Sequence, residues 1–274
     1  MASLVSLKYV VVTFMLGVTL VTAAAPARAE IRFVVQPIID REATRKAFQP
    51  LADYLSAATG EQVVLKTAYD YADFWSMMKN GKHYDLIFDG AFYVDYRIKH
   101  QNHVPLAKVP GLVSYSLVAM ASSGLFEPSE LIGKKIASLT PPAPGGLVMF
   151  KMFPSPLRQP YIFPVRSAED AMTLLLTGKV QAAMVPTPLA AQAMEQGKEI
   201  STIATTEQTP HMTITASKSI DEATRKKIAD ALLNATKSPK GVEMLKKIGF
   251  EGFEPTEPKL YDGYSRYLEQ EWND

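Results

Sequence analysis

The sequence contains no cysteine, so disulfides, thiolate metal ligands and a cysteine nucleophile are excluded. It also lacks the H-E-x-x-H, G-x-S-x-G, Walker and G-x-G-x-x-G motifs of common enzyme classes. The sequence has 29 basic and 28 acidic residues, so neither sign of charge is in excess. Such a balance gives no positive electrostatic field that would hold nucleic acid or anionic lipid. We therefore expect a protein that is not an enzyme, needs no cofactor or metal, and has no nucleic-acid partner.

A short apolar stretch stands near the N-terminus. Lys8 precedes apolar residues 9–21, and small residues then lead to Ala27-Arg28-Ala29, the pattern of a secretory signal peptide cleaved after Ala29. The stretch is shorter than the ~20 residues that span a membrane, which leaves an uncleaved anchor as the alternative. Residues 1–29 are thus predicted as a signal peptide. An exported chain without disulfides must be held together by its core.

Two segments of the chain match position by position without a gap. Residues 73–82 (DFWSMMKNGK) and 170–179 (DAMTLLLTGK) both read as Asp, an apolar helix and a Gly-Lys stop. An apolar strand follows each segment and breaks at Asp89-Gly90 in one copy and Pro186-Thr187 in the other. The repeat predicts the same α/β unit twice, hence two similar lobes. Ligands of open α/β sheets bind beyond the carboxyl ends of the strands, which points to the cleft between the lobes.

Short strands alternate with helices along the rest of the chain. Strands are predicted at residues 31–35, 62–68, 84–88, 115–121, 134–139, 180–185 and 211–216. Such alternation favours an α/β fold in which each lobe is a mostly parallel sheet flanked by helices. The order predicts a first lobe of residues 30–114 plus 217–274 and a second lobe of residues 123–209. Residues 115–122 and 210–216 are then the crossings, a two-strand hinge that permits closure.

Several polar residues stand where predicted strands end. Asp89 either caps the helix that begins after Gly90 or contacts a ligand, and Thr187 occupies the matching place in the second copy. His211 opens a predicted crossing strand, where it faces either the cleft or solvent. His100 and His103 are predicted as a solvated surface pair, because no third metal ligand lies near them in the sequence.

A proline- and glycine-rich loop, residues 140–146 (TPPAPGG), precedes another predicted helix start. Gly145 and Gly146 allow the backbone to come close to a ligand, and free N–H groups at helix starts attract anions. Aromatic residues fall at the strand-to-helix junctions and hinge edges, namely Tyr69, Tyr71, Phe92, Tyr93 and Tyr115. Aromatic walls with a few polar groups suit a small-molecule pocket, and core packing is the alternative role for these rings.

A set of ordered motifs resembles a known family. They are residues 48–55 (FQPLADYL), Asp70-Tyr71, residues 84–94 (YDLIFDGAFYV), Tyr115-Ser116, residues 131–137 (LIGKKIA), residues 178–183 (GKVQAA) and residues 247–250 (KIGF). Together they resemble the phosphate, phosphite and phosphonate binding proteins of ABC importers, within the type II periplasmic solute receptors. The resemblance covers nearly all of residues 31–267.

The resemblance implies a monomeric periplasmic protein with the two-lobed type II fold. Such a receptor closes on a small polar or anionic solute, phosphonate- or phosphate-like in this family, and delivers it to an ABC permease in the inner membrane. A signalling role, in which the same fold presents its ligand state to a membrane sensor kinase or cyclase, is the alternative. An enzyme on this fold would need a nucleophile or metal set that the sequence does not show.

The resemblance also bears on individual residues. Tyr71 and Tyr115 match ligand-facing aromatic positions of the family. The family's Ser/Thr oxyanion cluster is replaced by residues 140–146, and its His-acid pair by Ser167-Ala168-Glu169. Whether the backbone N–H groups of residues 145–147 rebuild an oxyanion site stays open, and so does the ligand. The predicted ligand-binding residues are Tyr71, Asp89, Ala91, Phe92, Tyr115, Thr140, Gly145, Gly146, Thr187 and His211.

Overall fold

The computed structural model describes residues 30–81 and 84–269. The predicted signal peptide, residues 1–29, lies outside the described residues. Among those described, no helix is both long and apolar enough to cross a membrane. The strands are β1 Glu30–Val35, β2 Gln62–Thr67, β3 Leu86–Asp89, β4 Val104–Lys108, β5 Leu112–Val113, β6 Tyr115–Met120, β7 Lys135–Ser138, β8 Tyr161–Pro164, β9 Ala182–Pro186, β10 Ile200–Thr205, β11 Thr209–Pro210 and β12 Thr213–Ala216. The α-helices are α1 Arg41–Thr59, α2 Tyr71–Asn80, α3 Ala91–Gln101, α4 Pro144–Met152, α5 Ala168–Leu176, α6 Thr187–Glu195, α7 Glu222–Leu233, α8 Pro239–Ile248 and α9 Arg266–Glu269.

The first sheet has the strand order β2-β1-β3-β12-β4. Strand β1 pairs in parallel with β2 and β3, whereas β12 is antiparallel to both β3 and β4. Alternating residues of β1 enter different cores, Phe33 and Val35 on one face and Val34 on the other. Helices α1, α7 and α8 cover the first face, and α2 and α3 cover the second. Both faces are therefore buried, as expected for a largely parallel sheet.

The second sheet repeats this layout with the strand order β8-β7-β9-β6-β10. Here β7 pairs in parallel with β8 and β9, and β6 is antiparallel to β9 and β10. The two helices of the sequence repeat, α2 and α5, are followed by Gly81 and Gly178 at φ 61° and 72°, a left-handed conformation that glycine adopts without strain. The predicted two-lobed α/β fold is confirmed, since each lobe is one sheet flanked by helices.

The residues predicted as hinge crossings are strands inside the two sheets. Residues 115–120 form β6 within the second sheet, and residues 213–216 form β12 within the first. Just outside them, β5 and β11 pair as an antiparallel ribbon of two residues each. The chain therefore passes between the sheets next to the residues predicted as crossings, and the position of the hinge stays a prediction. The boundaries of the lobes stay a prediction.

The C-terminal part of the chain returns to the first lobe, as predicted from its helical pattern. Helices α7 and α8 pack on α1. Beyond them, Tyr267 of α9 reaches both lobes. Its ring stacks on Phe92 of α3 at 4.6 Å between centroids, and its hydroxyl accepts a hydrogen bond from Lys151 of α4 at 2.6 Å.

A buried ion pair lies at the centre of the first lobe. The two nitrogens at the end of the Arg97 guanidinium donate to the Asp89 carboxylate at 2.5 and 2.6 Å, and both side chains are fully buried. Arg97 also donates to Thr215 of β12 at 3.1 Å. Burial raises the pKa of the Asp89 carboxyl, and the Arg97 charge opposes that rise. The pair thereby joins β3, α3 and β12.

Replacing Arg97 by methionine should destabilise the protein by about 3–5 kcal/mol, because it leaves the Asp89 carboxylate buried without a partner. The free energy of unfolding in urea measures the effect. Arg45→Ala is the control, since Arg45 is exposed and pairs with an exposed Glu42, and it should change stability by less than about 1 kcal/mol. Equal losses in the two variants would contradict the prediction.

The predicted surface pair of histidines is wrong for His103, which is buried beside Thr215 and the ring of Tyr84. Burial lowers the pKa of His103 to about 3. The unfolded chain binds a proton near its ordinary pKa of 6.5, and the folded chain does not. The stability that the neutral His103 side chain contributes is therefore fully present above pH 6.5 and is lost progressively as the pH falls below 6.5.

Replacing His103 by asparagine should flatten this loss between pH 6.5 and pH 4. The free energy of unfolding of the unsubstituted protein should fall more steeply than that of the variant, by at most about 1.4 kcal/mol per pH unit. Urea unfolding across this pH range measures both slopes, and parallel slopes would contradict the assignment.

Candidate functional site

A cavity of about 960 Å³ opens between the two lobes. Its walls are the β1–α1 and β2–α2 loops of the first lobe and the β7–α4 and β8–α5 loops of the second. These loops follow the carboxyl ends of their strands, where ligands of α/β sheets bind. The lining residues are Pro37, Ile39, Asp40, Arg41, Glu42, Ala43, Tyr69, Asp70, Tyr71, Ala72, Leu139, Thr140, Pro141, Val165, Arg166, Ser167, Glu169 and Asp170.

Three helices begin at the wall of this cavity, and each is capped by a side chain. Asp40 accepts hydrogen bonds from the first N–H groups of α1 at 2.9 and 3.0 Å. Asp70 accepts from the N–H of Asp73 in α2 at 2.8 Å, and Ser167 accepts from that of Asp170 in α5 at 3.0 Å. These caps stabilise the helices. They also occupy backbone donors that would otherwise be free for an anionic ligand.

The fourth helix near the cavity, α4, begins under its own loop. Its cap residue Ala143 makes no side-chain capping bond. Gly146 lies so close to the preceding loop that a Cβ there would come within 2.4 Å of the Pro141 nitrogen. Gly145 lies against the ring of Tyr115, and both glycines are buried. The loop therefore covers the helix start, and Thr140 faces the cavity while Gly145 and Gly146 do not line it.

Three tyrosines lie together beside this loop. Tyr71 lines the cavity although only 7 % of it is exposed, and its ring stacks on Tyr93 at 6.4 Å. The Tyr93 hydroxyl donates to the Pro142 carbonyl at 2.6 Å, a contact from the first lobe to the second. Burial raises the pKa of Tyr71, Tyr93 and Tyr115, so all three remain protonated hydroxyls near neutral pH.

The hydroxyls of Tyr71 and Tyr115 have no hydrogen-bond partner among the described residues. Within the described part of the chain, Trp75 Nε1 is the only side-chain polar atom that is both fully buried and without a partner. The two hydroxyls thus keep some contact with solvent. Of the residues predicted to bind ligand, Tyr71 and Thr140 line the cavity, and Tyr115 lies behind Gly145.

The other predicted residues lie elsewhere. The Asp89 carboxylate binds Arg97, and the alternative that it caps α3 is wrong, because Gly90 precedes that helix without a side-chain cap. Ala91 packs with Tyr261, and Phe92 stacks on the C-terminal Tyr267.

Thr187 and His211 are also outside the cavity lining. The Thr187 hydroxyl shares hydrogen bonds with Ser114 and Ser116, each at 2.9 Å, and so fixes α6 to the strand that enters the second lobe. His211 packs edge-on against Phe250 at 5.7 Å, and burial lowers its pKa. Both side chains thus have contacts within the protein, and their role in ligand binding stays a prediction.

Sequence reasoning missed most of the polar lining. Asp40, Asp70 and Ser167 are not among the predicted ligand-binding residues. Asp70 and Ser167 each stand three residues before an acid at the start of an apolar helix, a capping pattern that the sequence shows directly. The sequence does not show that the first turns of these helices line the same cavity.

Comparison with known proteins gives the family. The family model for ABC transporter phosphonate periplasmic substrate-binding proteins matches residues 33–261. The chain belongs to this family. Its members are substrate-binding transport proteins of the periplasm that pass their ligand to an ABC permease. Comparison with curated proteins gives no match.

Solved structures with the same fold are distant in sequence. PhnD1 of Prochlorococcus marinus in complex with methylphosphonate has a TM-score of 0.73 at 14 % identity, covering 88 % of this chain and 97 % of that one. The binding-protein component of an ABC phosphonate transporter from Pseudomonas aeruginosa has 0.68 at 15 %, covering 89 % and 85 %. An ancestral arginine-binding protein bound to arginine has 0.55 at 16 %, covering 80 % and 98 %. At such identities the likeness shows the fold of type II periplasmic binding proteins.

Gly146→Ala should destabilise the protein by about 2 kcal/mol, because its methyl group would overlap backbone atoms of Thr140 and Pro141 and displace the loop. Gly145→Ala is the matched control. Its methyl group would meet Tyr115 at an ordinary 3.5 Å, and alanine is the better helix former. Thermal unfolding of both variants tests whether the loop packs on Gly146. Equal melting temperatures of the two variants would contradict the prediction.

Proposed function

We propose that this family member holds its transported solute in the cavity between the lobes. The observation that carries the proposal is that loops of both lobes, each at the carboxyl end of a strand, line one cavity of about 960 Å³. A volume of this size suits a small organic solute. Closure around it needs no reacting group, which fits a receptor that hands its ligand on unchanged.

Two further properties belong to this proposal. Export through a signal peptide that ends at Ala29 is supported by the apolar stretch after Lys8 and the Ala-Arg-Ala site. Action as a monomer is the further expectation that the resemblance to periplasmic receptors implies. The sensing alternative, with a membrane kinase or cyclase as partner, is less favoured because the matched family consists of transporter components.

Thermal unfolding of residues 30–274 in the presence of millimolar solutes tests the proposed site. The panel comprises phosphate, phosphite, alkylphosphonates, aminophosphonates, sulfonates, amino acids and polyamines. A solute at ~100 times its dissociation constant adds ~2.7 kcal/mol of stability, which raises the melting temperature by about 5–10 °C in a chain of this size. The proposal fails if no class of solute raises it.

Tyr71→Phe should weaken binding of the solute that gives the shift by about 5–10-fold, because it removes a hydroxyl at the cavity wall that has no other partner. Isothermal titration measures the dissociation constant. Tyr161→Phe, at an exposed tyrosine outside the cavity, should leave it unchanged. Unchanged affinity in Tyr71→Phe would remove Tyr71 from the site.

A further inference from the structure

We propose that the cavity is built for an organic cation, an amine or a guanidinium, and that it disfavours a solute whose only charge is a phosphorus oxyanion. This inference rests on the proposed function of the cavity as the solute site. It departs from the chemistry that the family description suggests, and it follows from the groups that line the cavity.

The charged side chains of the lining are mainly acidic. Asp40, Glu42 and Asp70 stand on the first-lobe wall, and Glu169 and Asp170 on the second-lobe wall. Two arginines share the lining. Arg41 donates through Nε to Thr67 at 3.1 Å, and Arg166 is exposed on the opposite wall. Glu42 is also paired with Arg45 outside the lining. Together these three arginines offset only part of the negative charge of the five acids. A cleft with carboxylates on both walls raises the local concentration of cations and lowers that of dianions.

Side chains already occupy part of the backbone donors that an oxyanion would use. Asp40 accepts from two N–H groups in the first turn of α1, and Asp70 and Ser167 each accept from one N–H group in the first turn of α2 and α5. In the loop before α4, the prolines at positions 141, 142 and 144 have no N–H to offer. The start of α4 lies beneath this loop. At α1 and α2 the capping group is itself a carboxylate that lines the cavity, so negative charge already stands where an oxyanion would approach these helix starts.

Tyr71 adds an independent reason to expect a ligand here. It is more than nine-tenths buried, lines the cavity and has no hydrogen-bond partner for its hydroxyl among the described residues. A hydroxyl at the cavity wall without a protein partner is available to a ligand, and its oxygen can accept a hydrogen bond from a ligand N–H. An aromatic ring beside carboxylates also favours a cation through the negative face of its π-system.

The experiment compares matched solutes on the protein from residue 30 onward with Trp272→Phe. Trp75, buried in the apolar cluster that both lobes form, is then its single tryptophan and reports binding by fluorescence. The solutes are 1,4-diaminobutane, arginine, 2-aminoethylphosphonate, methylphosphonate and phosphate. We expect the diamine or arginine to bind at least tenfold more tightly than methylphosphonate, with an affinity that falls as salt is added.

Asp70→Asn separates charge from capping, because asparagine caps a helix about as well as aspartate. It should weaken cation binding about tenfold. Asp221→Asn is the matched control, since Asp221 caps α7 through the Thr224 N–H at 2.9 Å and lies outside the cavity lining. It should leave the affinity unchanged.

The outcomes distinguish this inference from the proposed function. Tighter binding of methylphosphonate or phosphate than of the cations would overturn the inference and leave the cavity as the solute site. Unchanged cation affinity in Asp70→Asn would also overturn the inference alone. The same holds if Asp70→Asn loses no more affinity than Asp221→Asn. Absence of binding by every solute would overturn the proposed function and the inference with it.

Discussion

The buried ion pair between Asp89 and Arg97 sets the position of helix α3, and much of the cleft depends on that helix. The pair joins the end of β3 to α3 and, through Thr215, to β12. Breaking it would leave a charge at full burial, which costs several kcal/mol, so α3 has one stable position. That position places the Tyr93 hydroxyl on the Pro142 carbonyl across the cleft. An interaction outside the cavity thus fixes one of its walls.

The chain keeps the architecture of its family while the loops at the cleft have their own chemistry. Strand order and buried faces depend on short apolar runs along β1, β3 and β9, which many sequences satisfy. The polar character of the cleft depends instead on a few loop positions, where substitution does not disturb the core. In this chain those positions hold the carboxylate caps of α1 and α2 and the prolines before α4, and under the proposed function they are the groups that a solute meets.

The sequence predicts the two-lobed fold well because the helix–Gly–strand unit is local and appears twice. It also predicts Tyr71 and Thr140 at the cavity wall, since both follow strand ends. It does not predict the ion pair of Asp89 with Arg97. In the sequence, Arg97 cannot be told from any other polar position of a helix, and only the packing of α3 against β12 brings it to Asp89. The meeting of four loops from two lobes is likewise a long-range property, and single-segment patterns do not contain it.

The order of strands has a consequence for the synthesis of the chain. The second sheet takes its strands from residues 115–205, whereas the first needs β12, which follows the whole second lobe. A chain made from its N-terminus therefore holds every second-lobe strand before the first sheet can be completed. Until Thr213–Ala216 has emerged, the fully buried strand Leu86–Asp89 is an open sheet edge, and such edges pair with other chains. The first lobe is thus the aggregation-prone half of the nascent protein, and keeping the chain unfolded until residue 216 is released avoids that hazard.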